Sequence, residues 1–319
     1  MLNFGVIAPL LISFVISAAA GPKIIGILRR LKAGQTVRDD GPQTHLKKNG
    51  TPTMGGIIFL LGVVVTCLFY VKDYPKIIPV LFMTVGFGIV GFLDDYIKVV
   101  LKRSEGLTPG QKMAGQLVVT AVFAYYMVKY SEAGLMMLVP FCPGLTIDLG
   151  WLSIPLLFFV VIGTVNGTNF TDGLDGLASS VTVIVAVFFS VVALGTGTGI
   201  APVTLAVAGG LLGFLLFNVY PASVFMGDTG SLALGGFVAS VAYMLNMPLF
   251  LLLVGLIYMV EVLSVIIQVT YFKATHGKRF FKMAPIHHHF EKCGWSETRV
   301  VTVFSIIEAF CCLIALAAM

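Results

Sequence analysis

The sequence predicts an all-α, polytopic integral membrane protein with ten transmembrane helices, and three observations predict it. Of 319 residues, 58% are hydrophobic and 11% charged, whereas a soluble domain carries roughly a quarter charged residues. Apolar windows of about 20 residues, the length that crosses a bilayer core of about 30 Å, recur from one end of the chain to the other. The charged residues fall in clumps between these windows. A net charge of +5 distributed in this way argues against nucleic-acid binding, and the composition argues against a disordered or collagen-like chain despite 35 glycines.

The windows lie near residues 4–28, 54–71, 76–100, 113–130, 151–168, 177–195, 201–218, 231–246, 248–272 and 299–318. The first runs into Ala18, Ala19 and Ala20 as a cleavable leader would. No basic residue precedes it, however, and Lys23, Arg29 and Arg30 follow, so it reads as a retained span. Lys72 and Lys76 part the second window from the third, and Lys98, Lys102, Arg103 and Lys112 part the third from the fourth. Between the fourth and fifth, residues 131–150 set Pro140, Pro143, Gly144 and Gly150 among alternating apolar residues, a pattern for a small surface hairpin. Only Asn246, Met247 and Pro248 separate the eighth window from the ninth. The cysteines Cys67, Cys142, Cys293, Cys311 and Cys312 are odd in number and form no C-x-x-C pair, so they read as apolar filler. No linker interrupts the pattern, which predicts one transmembrane catalytic domain over residues 1–319.

Ten spans put the odd-numbered loops on one face and the even-numbered loops on the other. The odd loops carry 16 of the 20 Lys and Arg residues, so the positive-inside rule makes them cytoplasmic and sends both termini outward. The same loops hold seven of the nine aspartates: Asp39, Asp40, Asp94, Asp95, Asp172, Asp175 and Asp228. Solubility alone does not explain this, because the even loops need solvation too and are bland. The pattern predicts a cytoplasmic active site.

Five segments build it. Asp94 and Asp95, in FLDDYIK, end the third span. An Asp94–Lys98 pair at i, i+4 is the plain structural alternative, but carboxylates at a membrane-embedded helix end are costly unless used. NGTNFTDGLDGLA places Asn166, Asn169, Asp172 and Asp175 at intervals of three, which no single regular helix can aim at one ligand. Gly167, Gly173 and Gly176 predict a backbone that opens there. FMGDTGS offers Asp228 between glycines as a ligand for a hard cation such as magnesium, with Thr229 or Ser231 to cap the following helix. His287, His288 and His289 are adjacent, a spacing that suits substrate contact better than zinc. Lys48, with Arg38 and Lys47, is placed to neutralise phosphates, and positive-inside retention competes with that role. Within the spans, Glu261 shares a face with Ser264 and Gln268, and Glu308 lies in the last; function and helix packing are both open for them.

Taken in order, RDDGPQTHLKKNGTPTMGG, FLDDYIK, NFTDGLDGLA, PASVFMGDTGSLALGG and APIHHHFEKCGW resemble the polyprenyl-phosphate N-acetylhexosamine-1-phosphate transferases. Within them, the first loop and the triple histidine resemble the bacterial phospho-N-acetylmuramoyl-pentapeptide transferases. The resemblance covers nearly the whole chain and departs locally at Gly167-Thr168. It implies a magnesium-dependent enzyme of the bacterial cytoplasmic membrane, commonly a homodimer. The implied reaction passes phospho-muramoyl-pentapeptide from its UDP carrier to undecaprenyl phosphate, giving lipid I and UMP for peptidoglycan. By resemblance Asp94, Asp95 and Asp228 are the catalytic aspartates, with Asp228 on the metal. Lys48, Thr53, Lys98, Lys112, Asn166, Asn169, Asp172, Asp175, Asn218, Phe225, Met226, Gly227 and the three histidines line the substrate pocket, with Phe225 near the uracil.

Two anions must meet in such a reaction, and magnesium with lysines is the expected remedy for their repulsion. The acceptor phosphate, with a second pKa of about 6, is largely dianionic near neutrality and needs little help from a base. Direct attack is therefore expected, with Asp94 or Asp95 mainly orienting, in preference to an aspartyl-phosphate intermediate. The competing readings are a sister enzyme using UDP-N-acetylglucosamine and, from another class, a transporter. Transporters usually show midplane charges, broken helices or repeated halves, whereas here the acids crowd one surface and the sequence shows no repeat.

Overall fold

The computed structural model describes residues 4–31, 50–103, 106–131 and 134–319. Lys48 lies outside the described residues, as do Arg38, Asp39, Asp40 and Lys47. The helices are α1 (Phe4–Arg30), α2 (Gly56–Tyr70), α3 (Ile77–Val99), α4 (Pro109–Tyr130), α5 (Ser153–Thr171), α6 (Leu177–Thr196), α7 (Ala201–Asn218), α8 (Gly227–Met244), α9 (Leu251–Val254), α10 (Leu256–Ala274), α11 (Ile286–Lys292) and α12 (Glu297–Ala317). A two-stranded antiparallel ladder, β1 (Met137–Leu138) and β2 (Thr146–Ile147), pairs Met137 with Ile147 and forms the hairpin expected between the fourth and fifth spans.

This is an all-α polytopic membrane protein. Seven of the described helices, α1, α3, α5, α6, α7, α10 and α12, are long and apolar enough to cross a bilayer. Local signals set several ends. Thr108 and Gln111 form a reciprocal capping box at the start of α4 with Pro109 in its first turn, and Ser296 accepts the Arg299 amide at the start of α12. Inside the helices, hydroxyls that lipid could not hydrate bond to their own backbone. Thr84, Thr120, Thr182 and Ser190 each donate to the carbonyl one turn back, at 2.7–2.8 Å.

The bundle is organised around α8, whose residues Thr229 to Tyr243 are all buried. It packs against α3, α5, α2 and α6. Small residues make this possible, since between membrane helices close backbone approach is the main source of packing energy. A side chain at Gly56 would strike the Gly230 backbone, one at Gly235 the Val165 backbone, and one at Gly236 the Met83 carbonyl. The outer surface is the reverse, with large apolar side chains such as Phe69, Trp151, Phe159 and Phe310 exposed as lipid contact requires.

Three expectations need correction. The ninth window is not one helix: the chain breaks at Gly255 into α9 and α10, and the Ile257 amide at the new N-terminus donates to Glu308 of α12 at 3.4 Å. That carboxylate supplies a partner that a broken helix lacks. The triple histidine does not lie in an open loop but on the short helix α11. Gly167 does not open the backbone, because α5 runs through it to Thr171 and the missing side chain instead admits the Tyr258 backbone.

Candidate active site

Asp94 and Asp95 are both buried at the C-terminal end of α3, where it meets the first turn of α8. Adjacent helical residues diverge by about 100°, and the two carboxylates do different work. Asp95 Oδ1 accepts the Asp228 amide at 3.2 Å, while Oδ2 accepts the Thr229 amide at 2.8 Å and the Thr229 hydroxyl at 2.6 Å. The expectation that Thr229 or Ser231 caps α8 is thereby corrected. The helix has no side-chain cap of its own, Ser231 bonds back to the Gly227 carbonyl, and Asp95 of another helix takes the orphan amides. Gly91 permits this, since any side chain there would collide with the Asp228 carbonyl. Asp95→Ala is expected to cost about 2 kcal/mol, the upper end of measured cap losses. Unfolding in detergent checks it, and an unchanged midpoint refutes the capping role.

Asp94 faces the other way. Its Oδ1 accepts the Leu107 amide at 2.7 Å, and its Oδ2 pairs with Lys98 one turn on. Lys98 also reaches Asp228 Oδ2 at 3.1 Å, and Lys112 from α4 reaches the same oxygen at 2.9 Å and Asp94 at 4.0 Å. Asp94 and Asp228 thus share both ammonium groups. Asn169 donates to Asp228 Oδ1 and to Ser231 Oγ, each at 2.8 Å. Four helices, α3, α4, α5 and α8, thus converge on Asp228, with two ammonium groups holding together two carboxylates that would otherwise repel.

The rest of the asparagine and aspartate row divides by its place on α5. Asn166, still helical, donates to Gln116 of α4 at 3.1 Å, a partner that the sequence signalled only as one amide within an apolar helix. Asp172 caps the C-terminus of α5 and is half-buried. Loss of solvent first, then the negative charges of Asp228, Asp95 and Asp175, pushes its carboxyl well above the ordinary carboxylate range, against a hydrogen bond from the Gly227 amide. Asp175 is buried and accepts the Ala222 amide at 2.9 Å, and its own amide donates to Glu297 at 2.6 Å. Glu297 was not singled out from sequence; as the first residue of α12 it reads as an ordinary helix start. Asn218 is buried, accepting from Ser179 at 2.9 Å and donating to the Val224 carbonyl at 3.1 Å. Asp175 and Asn218 thus brace the loop carrying Phe225, whereas Asn169 and Asp172 stand beside Asp228.

Residues 52–56 strap across that loop. The Phe225 amide donates to the Pro52 carbonyl, the Gly55 amide to the Phe225 carbonyl and the Gly56 amide to the Met226 carbonyl, at 2.8–2.9 Å. Thr53 and Met226 are buried beneath, and Phe225 is partly exposed. Gly227 holds φ +74°, which a side chain resists, and a Cβ there would crowd Asp95 Oδ2 at 2.6 Å and Thr53 Oγ1 at 2.8 Å.

The three histidines point to three places. His287 is fully buried with Nδ1 3.0 Å from Glu261 Oε2, His288 Nδ1 is 2.7 Å from Glu291, and His289 Nδ1 accepts the Lys282 amide at 3.1 Å. They do not converge on one atom. Gln268, on the same face of α10 as Glu261, accepts the Phe280 and Phe281 amides at 3.1 and 2.8 Å and so moors the loop before α11.

Among the described residues no three His, Cys, Asp or Glu side chains group as a metal cage. Magnesium does not ask for one, since it commonly takes one or two carboxylates and completes its octahedron with water and phosphate oxygens. Asp228, with Asp94 across the shared lysines, is a donor set of that kind, composed of hard oxygens.

A family profile for glycosyl transferase family 4 matches residues 77–246, the stretch from α3 to the end of α8 that holds the three aspartates. Signature 1 of phospho-N-acetylmuramoyl-pentapeptide-transferase matches residues 48–60. The chain is 54% identical over 308 residues to the phospho-N-acetylmuramoyl-pentapeptide-transferase of Acetivibrio thermocellus, covering 95% of this chain and 92% of the relative. It is 51% identical to that of Clostridium botulinum strain Alaska E43, over 100% of this chain and 98% of the relative. It is 52% identical to that of Clostridioides difficile, over 93% of this chain and 92% of the relative. With identity of this extent over nearly the whole length of both chains, the chain belongs to the phospho-N-acetylmuramoyl-pentapeptide-transferase family.

Proposed function

We propose that this chain transfers phospho-N-acetylmuramoyl-pentapeptide from UDP to undecaprenyl phosphate, forming lipid I and UMP in peptidoglycan synthesis. The observation that carries the reading is the meeting of four helix ends at Asp228, where Lys98, Lys112 and Asn169 are already in place and both lysines are shared with Asp94. The setting is a bacterial cytoplasmic membrane crossed ten times. Each of the ten apolar windows lies on helix, with the ninth broken, and the clustered segments are those the distribution of Lys and Arg puts inside. Both termini then face outward, and the working unit is a homodimer.

An oxygen of the undecaprenyl phosphate attacks the sugar-bearing phosphorus. The bond from that phosphorus to the bridging oxygen breaks, and UMP leaves with the oxygen. Lys98 and Lys112 lower the repulsion between the two phosphates. Asp94, held by Leu107 and Lys98, orients the lysines and the acceptor. Asp95 acts from behind, fixing the first turn of α8 and therefore Asp228. Asp228, beside Asp94, would hold magnesium, which when bound screens phosphate charge and polarises the phosphoryl oxygens. Asn169, Asp172, Phe225 and the 52–56 strap border the space for the nucleotide sugar, with Phe225 against the uracil and Lys48 of the first loop on its phosphates. Asn166, Asp175 and Asn218 shape that border from behind.

Purified protein in detergent with undecaprenyl phosphate tests this. UMP release is expected from UDP-N-acetylmuramoyl-pentapeptide, not from UDP-N-acetylglucosamine, and it is expected to stop with a magnesium chelator. Release from the second sugar instead indicates the sister reaction, and release from neither refutes transferase activity.

A further inference from the structure

Helices α3 and α4 diverge at the end of the bundle remote from the aspartates. Nearer the site they lie close: a Cβ added at Gly115 would stand 3.1 Å from Val90, and one at Gly86 3.0 Å from Val119. Beyond Gly86 the facing residues are Phe82 on α3 with Phe123 and Tyr126 on α4, and rings of that size hold the helices apart. The result is a groove of about 470 Å³, within the range of about 300–1,000 Å³ typical of small-molecule sites. Ile78, Phe82 and Val122 form its apolar depth, and all three are exposed on the outer surface of the bundle, so the groove opens to lipid. Lys76 and Tyr126 form its rim. Lys76 is the N-cap of α3 and lies about 27 Å along the helix axis from Asp94, at 1.5 Å per residue.

That rim is charged on the side of the membrane where the sequence otherwise avoids charge. The odd loops hold 16 of the 20 Lys and Arg residues, and Lys72, Lys76 and Lys129 are three of the remaining four. All three belong to this corner. Lys72 shares the short α2–α3 loop with Lys76, and Lys129 follows Val122 and Tyr126 on one face of α4, at i, i+4 and i+7. Lys72 and Lys129 are exposed, and Asp73 is the one carboxylate among the described residues of these two segments. Five of the ten tyrosines, Tyr70, Tyr74, Tyr125, Tyr126 and Tyr130, stand at the same ends of α2, α3 and α4. Tyr126 and Tyr130 stack with centroids 6.0 Å apart. Tyrosine gathers at headgroup level in membranes, so the lysines of the rim stand where lipid phosphates lie. A basic rim at that level above an apolar trough complements an amphiphile with a negative head. Lysines here run against the positive-inside rule, and a bound phosphate compensates them.

We propose that the α3–α4 groove binds an anionic phospholipid of the outer leaflet, its phosphate held by Lys76 and Lys129 and one acyl chain lying along Ile78, Phe82 and Val122. The site is a membrane thickness away from the aspartate cluster and is independent of the reaction proposed there.

Quenching by brominated lipid tests it on the full chain in vesicles. The two tryptophans, Trp151 and Trp295, are replaced by Phe, and a single reporter is introduced by Phe82→Trp. Phe159→Trp is the control, on the exposed surface of α5 at a similar depth from the outer end of its helix. Brominated phosphatidylglycerol is expected to displace phosphatidylcholine from the Phe82→Trp reporter with a preference of about fivefold or more, the contribution of one Lys near anionic headgroups. At the control the preference is expected to be near one. Lys76→Gln with Lys129→Gln is expected to abolish the preference at Phe82→Trp. Raising salt in the chain with both lysines intact is expected to narrow it, which decides the matter should the double variant not fold. Equal quenching by the two lipids at Phe82→Trp overturns the proposal, as does an equal preference at the control or one that survives loss of both lysines or high salt. Quenching by neither lipid means that protein covers the groove, a second copy or another chain, and overturns it as well.

Discussion

Asp228→Asn is expected to lower UMP release about a thousandfold, the upper end of what one electrostatic contact to a developing charge contributes. The substitution keeps the side-chain outline and leaves the Asp228 amide free to donate to Asp95, so the first turn of α8 stays capped. It removes the charge on which Lys98 and Lys112 converge, at 3.1 and 2.9 Å, and the carboxylate proposed to hold magnesium. Two measurements separate these losses. Raising magnesium over several decades recovers part of the rate if weakened metal binding dominates. Unchanged thermal unfolding shows that the fold is intact. A variant that works within tenfold of the parent removes Asp228 from the centre of the mechanism.

Gly91→Val is expected to have the next largest effect, and it acts without touching a charged group. Its branched side chain would have to occupy the place of the Asp228 carbonyl, so α3 and α8 must separate. Overpacking of this kind costs about 3 kcal/mol or more where the obstructing atoms are backbone. It also shifts Asp94 relative to Asp228, and a displacement of about 1 Å in a catalytic array costs about a hundredfold in rate. Gly163→Ala on α5 is the control, since nothing lies within 4 Å of its added methyl group, and it is expected to be neutral. Equal behaviour of the two variants would mean that the α3–α8 contact does not set the site.

The sequence revealed the outline of the fold because lipid imposes it. Spans must be long and apolar, and each of the ten windows fell on helix. It revealed Asp94, Asp228, Lys98, Lys112 and Asn169 as neighbours through motif resemblance and shared sidedness, and the structure brings these five together. What stayed hidden depends on approach between helices far apart in sequence. Asp95 reads as a twin of Asp94, and only the closeness of α3 and α8 at Gly91 makes it a cap for a helix 133 residues later. Asn218 and Asp175 carry the polarity of binding residues, but their partners are Ser179, Val224, Ala222 and Glu297, which no local pattern connects to them. The break at Gly255 was invisible because both halves of the ninth window are apolar and a single glycine is tolerated in a helix.

The burial of α8 has a consequence for how the protein is made. Its glycines, serines and Asp228 leave it outside the set of helices long and apolar enough to cross a bilayer on composition alone, so its place depends on the helices around it. The helices that enclose it, α2, α3, α5 and α6, all precede it in the chain, so they are synthesised first and can receive it as it emerges. Assembly is thereby ordered from the amino-terminal side, and the segment bearing the central carboxylate enters a berth that its predecessors have already lined.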